Sequence, residues 1–157
     1  MVDLLTAEEA KKLPEDIRMC DTPKKFGGYI SNNKKCWWWL RSPGNYSFYA
    51  TVVDESGAVY EGGKHVNNVS NAVRPVIRVT DENIDDMEEI EDGYIRYLGT
   101  KWINITDCVG TMCLLKKKCL KKSHRFDSAS NDYEKSEIKD YIEEWYRRRQ
   151  EKYGKKE

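Results

Sequence analysis

Thiols and imidazoles are the side chains here best suited to nucleophilic attack or to holding a soft metal. The 157-residue chain carries five cysteines, Cys20, Cys36, Cys108, Cys113 and Cys119, and two histidines, His65 and His124. The cysteine number is odd and no pair has C-x-x-C spacing, which argues against a zinc ribbon and against a redox dithiol. The histidines are far apart, so no metal-ligand cluster can be read from spacing, and no base stands at a readable distance from any thiol. The sequence therefore predicts reduced, structural cysteines, with no catalytic residue, no metal and no cofactor. Calcium-dependent sugar binding needs clustered carboxylates and amides, and Asp54, Glu55 and Asn67-Asn68 do not form such a set.

What remains is contact chemistry. Between residues 45 and 68, Tyr46, Phe48, Tyr49 and Tyr60 are interspersed with Glu61, Lys64, His65, Asn67 and Asn68. Tyrosine offers wide contact area at low entropic cost, and small amides add adaptable hydrogen bonds, so this composition resembles a paratope. Trp37-Trp38-Trp39 alternates across a strand. Core packing on at least one face is the stronger reading, with a stacking platform for sugar or base as the alternative. Lys116-Lys117-Lys118 and Lys121-Lys122, near His124 and Arg125, lack interleaved aromatics. They read as a solvated edge guarded by lysines rather than as a nucleic-acid surface.

The elements that must position these residues follow from pattern and charge. Lysine plus arginine equals aspartate plus glutamate at 27 each, so no global field draws in nucleic acid. The length suits a single domain over 1–157. No apolar run approaches the roughly 18 residues of a membrane span, and no basic-then-apolar leader opens the chain. A cytoplasmic or phage-associated protein is the expectation. Residues 80–92 hold 8 acids and no base, which predicts a solvated linker. That linker divides a half at 1–79 from a complementing half at 93–157. As an alternative contact element, Asp85, Asp86, Glu88 and Glu89 could occupy a basic channel on another enzyme.

Thr6-Ala7-Glu8-Glu9 has capping-box spacing and predicts a short helix ending at Pro14. Trp37–Arg41 reads as a buried strand, and Ala50–Val53 with Ala58–Tyr60 as a hairpin turning at Asp54–Gly57. Val73–Val79 reads as a strand that Pro75 places near an edge or bulge. Tyr94–Leu98 and Lys101–Ile105 form a second hairpin, and Thr111–Leu115 a third strand. Ile138, Tyr141, Ile142, Trp145 and Tyr146 share one face of a C-terminal helix, capped by Ser130 or Asn131. These elements together are α+β, with small antiparallel sheets and a helix near each end.

Trp38-Trp39-Leu40-Arg41-Ser42-Pro43-Gly44 with Val73-Arg74-Pro75 resembles a bacterial and prophage family with a W-W-L-R-S-P-G…V-R-P signature. That family is similar to the variable proteins of diversity-generating retroelements. The resemblance implies a C-type-lectin-like fold and a non-catalytic, ligand-binding role, with a protein partner first and carbohydrate as a second class. Ala50, Val53, Gly57, Val59, Gly63 and Val66 match the family's frame. The residues between them, including Glu55, match its displayed positions. Cysteines catalyse in a distant oxidase branch of that fold, but no thiol here has the partner that chemistry needs. In the family, a segment like 93–146, with Arg125-Phe126-Asp127 and Tyr133-Glu134-Lys135-Ser136, precedes the signature. Here it follows, so the halves read as permuted within a monomer or exchanged in a domain-swapped dimer.

Overall fold

The computed structural model describes residues 1–80 and 84–154. The fold is α+β, with antiparallel sheets and a long C-terminal helix. A six-stranded sheet runs in the order β1 (Val2–Asp3), β7 (Val76–Arg78), β11 (Cys113–Lys116), β10 (Thr100–Asn104), β9 (Tyr94–Tyr97) and β8 (Glu88–Glu89). A three-stranded sheet joins β4 (Trp38–Pro43), β5 (Tyr49–Val53) and β6 (Val59–His65). β2 (Cys20–Asp21) and β3 (Lys35–Cys36) form a small pair. The helices are α1 (Ala7–Lys11), α2 (Glu15–Arg18), α3 (Thr106–Val109) and α4 (Glu137–Tyr153).

Local chemistry accounts for most of these boundaries. The Thr6 hydroxyl accepts the Glu9 amide at 3.1 Å, and the Glu9 carboxylate accepts the Thr6 amide at 3.0 Å. This is the expected capping box. Pro14 ends that helix and also stands at the N-terminus of α2. Leu98 (φ 51°) and Gly99 (φ 71°) make a two-residue turn between β9 and β10. Left-handed backbone at both positions matches the right-handed twist of the flanking strands.

Three expectations change. β7 is not an edge strand, because β1 and β11 flank it; Pro75 lies just ahead of the first paired residue, where its missing N–H costs no ladder bond. α4 is capped by Ser136, which accepts the Lys139 amide at 3.2 Å, and not by Ser130 or Asn131. Part of the acidic stretch is not a free linker: Glu88 and Glu89 pair with Arg96 and Ile95 of β9 as an edge strand. Asp81, Glu82 and Asn83 of that stretch lie outside the described residues. α3, one turn long, was not anticipated.

Successive side chains of one strand enter different cores. Trp39, Val52, Ile77 and Leu114 pack in a cluster with Phe126, Ile138 and Ile142. Trp38, Leu40, Val53, Val76, Cys113 and Leu115 pack in a second cluster with Leu5, Ala10 and Phe26. Strands covered on both faces read as continuous apolar runs, which explains Trp37–Leu40.

The two halves complete one another. The six-stranded sheet takes β1 and β7 from the first half and β9 to β11 from the second. Trp39 packs edge-on against Phe126 at 5.6 Å and donates its indole N–H to the His124 carbonyl at 2.8 Å.

Candidate contact surface and a buried thiol cluster

Four of the displayed residues come together. Tyr46 and Phe48 stack at 5.6 Å with an 8° interplanar angle, and Tyr49 meets both edge-on at 5.4 Å and 4.9 Å. His65, opposite Tyr49 in the β5–β6 ladder, approaches Phe48 at 5.3 Å. Tyr46 is 60% exposed and Phe48 40%, so the cluster presents aromatic surface to solvent. Aromatic groups of this kind supply most of the energy at protein contacts.

The loop that carries them is fixed by backbone hydrogen bonds. The Gly44 amide donates to the Tyr49 carbonyl at 2.8 Å and the Asn45 amide to the Gly62 carbonyl at 3.0 Å. From the second half, the Asn131 side chain donates to the carbonyls of Tyr46 and Tyr49, both at 3.0 Å. Asn131, expected as a helix cap, instead pins the display loop.

The other displayed residues are dispersed. Tyr60 is 49% exposed and joins no ring contact with the cluster among the described residues. Glu61 is ion-paired with Lys11 of α1. Lys64 lies 4.2 Å over the Trp37 ring. Asn68 accepts the Ser70 amide at 2.9 Å, a local turn, and Asn67 is exposed beside His65. Between the pairs Ala50–Lys64 and Val52–Tyr60, β5 has Thr51 alone while β6 has Glu61, Gly62 and Gly63. That bulge separates Tyr60 from the cluster along β6. The stacking-platform alternative fails for Trp38 and Trp39, which are fully buried; Trp37 is half-buried, with Lys64 over its ring.

Arg41 and Arg74 belong to the frame. Arg41 donates to Asp3 and Glu134, each at 2.8 Å, and lies 4.5 Å over the Tyr133 ring. Arg74 is 1% exposed and donates to the carbonyls of Lys116, Ile17 and Lys117 at 2.8, 2.7 and 3.3 Å.

The lysine run is a solvated edge only in part: Lys118, Lys121 and Lys122 are exposed, whereas Lys116 is buried. β11 is an interior strand, and Lys116 to Lys118 line a cavity of ≈ 860 Å³. Arg96, Lys101, Lys121, Lys122 and Arg149 also line it, with no carboxylate, and Tyr141 and Trp145 form part of its wall. Folding thus supplies the aromatics that the linear sequence lacks beside this cluster, and the cavity attracts anions. Burial pushes the Lys116 ammonium down to about 8, with the charges of Arg149 and Arg74 adding to the effect.

Beside this cavity three of the cysteines come together. Cys20 and Cys36 face each other across β2 and β3, and Cys119 joins them. The three sulfurs lie within 4.8 Å of one another and all are buried, with Cys36 and Cys119 3.8 Å apart. These cysteines are separated by 16 and 83 positions in sequence, so no spacing rule could join them. Burial pushes the Cys20 thiol up, but hydrogen bonds to Cys119 and Cys36 and the charge of Arg74 hold it well below the usual range. The Cys36 thiol is raised by its hydrogen bonds to Cys119 and Cys20 and by burial. Cys113 and Cys108 stand outside the cluster.

Asp85, Asp86, Glu88 and Glu89 are exposed. Among the described residues, no helix is long and apolar enough to cross a membrane. No family model, curated protein or solved structure matches the chain.

Proposed function

We propose that this chain is a non-catalytic binding module of C-type-lectin-like fold that engages a protein partner through Tyr46, Phe48, Tyr49 and His65. The pinned aromatic cluster carries this reading. A contact surface already held in its bound shape loses little entropy on association, and Asn131 together with the Gly44 and Asn45 backbone holds this one. The meeting of the signature with the later motifs supports the family resemblance, since Arg41 reaches Tyr133 and Glu134, and Trp39 reaches Phe126. The permuted order is then accommodated within one chain. Tyr60 and Glu61 lie outside the central patch. Carbohydrate is the second ligand class, supported by the stacked rings, and the setting is cytoplasmic or phage-associated.

The test is affinity capture from the source cell or its phage, comparing the native chain with Tyr46→Ala/Phe48→Ala/Tyr49→Ala/His65→Ala. A partner retained by the folded quadruple variant at native affinity sinks the proposal. A glycan array separates the carbohydrate class from the protein class.

The exposure of Asp85, Asp86, Glu88 and Glu89 favours a second reading, an inhibitor that places its acidic segment in a basic channel of a host enzyme. That reading requires binding that weakens steeply with salt and disappears when the four are changed to amides. Binding that the amide variant leaves intact excludes it.

A further inference from the structure

We propose that Cys20, Cys36 and Cys119 form a three-sulfur site for one thiophilic d10 metal ion, of the class of Zn(II), Cd(II) or Cu(I). Metal–sulfur bonds of about 2.3 Å place sulfurs about 3.8–4.0 Å apart in tetrahedral or trigonal coordination. The Cys36–Cys119 separation is already 3.8 Å, and all three sulfurs fall within 4.8 Å. A sub-ångström contraction completes the site. The backbone is set for it: Cys20 and Cys36 are direct cross-strand partners, and the Cys119 amide donates to the Asp21 carbonyl at 3.3 Å.

An independent observation is charge. Arg74 and Lys116 are both buried, at 1% and 7% exposure, and neither has a carboxylate partner among the described residues. Their donors go to carbonyls of segment 116–118 and of Ile17, and that segment runs directly into Cys119. Buried cations without a counter-anion are costly, and thiolates supply one. A divalent ion displaces three thiol protons and leaves a centre of charge −1; Cu(I) leaves −2. Either is offset by the two cations, and no redox step is involved. Cys119 also borders the cationic cavity, which repels a free dication, so the ion is loaded as the chain folds.

The reduced full chain is refolded with one equivalent of Cd(II) or Zn(II) and freed of excess. Native mass spectrometry should find one ion per chain, with an ultraviolet sulfur-to-cadmium charge-transfer band. X-ray absorption of the zinc form should show three sulfurs at about 2.3 Å. Cys20→Ser, Cys36→Ser and Cys119→Ser should each abolish the band, and Cys108→Ser should keep it. Arg74→Met or Lys116→Met should weaken binding about 10- to 100-fold, as outer partners of metal ligands do. If the serine variants do not fold, the ion count and sulfur shell of the native chain decide alone. A chain that retains no ion, a band that survives Cys119→Ser, or a Cys36–Cys119 disulfide formed in place of metal binding overturns the proposal.

Discussion

Arg74 and Lys116 are two buried cations with opposite consequences for stability. Arg74 satisfies three carbonyls with one planar fork and stands 5.0 Å from the Trp38 ring centre. Lysine cannot reproduce that fork, so Arg74→Lys should cost about 2–4 kcal/mol through unpaired buried carbonyls, read as a lower urea midpoint. Lys116 titrates at about 8 in the fold against an ordinary 10.5. Between those values the unfolded chain holds the extra proton, so stability from this group rises as pH rises from about 8 to 10.5. Lys116→Met should remove that rise and, without added metal, be neutral or stabilising at pH 7; urea midpoints across the pH series check both. Arg74 was legible as a marked position because it belongs to the Val73-Arg74-Pro75 block of the signature. Lys116 was not, because three consecutive lysines read as solvated and only the neighbours of β11 show that the first is buried.

Elements carry the display. Gly63 has φ 89°, and a Cβ there would lie 2.6 Å from the Ala50 carbonyl oxygen. Gly63→Ala should therefore cost at least about 1 kcal/mol and weaken partner binding by disturbing the bulge beside His65; thermal melts and affinity measurements check the two effects. Ser136→Ala removes the cap of α4 and its 2.7 Å bond to the Tyr133 carbonyl, with an expected loss of about 1 kcal/mol in urea denaturation. Along the cavity, Lys118→Ser/Lys121→Ser/Lys122→Ser relieves like-charge repulsion and should raise the melting temperature at low salt, with the gain shrinking as salt screens it. The apolar stripe of α4 was plain in the sequence, because five large residues share one helical face. Its cap was not, since Ser130, Asn131 and Ser136 are equally good cap residues and tertiary bonds choose among them.

Over the whole molecule, β7 of the first half is paired with β11 of the second, and Arg41 reaches Glu134. Residues 1–79 alone should show no cooperative urea transition, and the full chain should show one; circular dichroism of both checks this. The need for a complementing half was legible from the signature and the later motifs, whereas the strand order was not, because pairing partners leave no mark on spacing. The alternation of Trp38, Trp39 and Leu40 between two cores has a thermodynamic corollary. Neither core can empty while the other stays packed, because the same backbone forms a wall of each. Melting should therefore be all-or-none, with calorimetric and van't Hoff enthalpies equal, and loosening on one side should reach the other at the speed of a strand shifting.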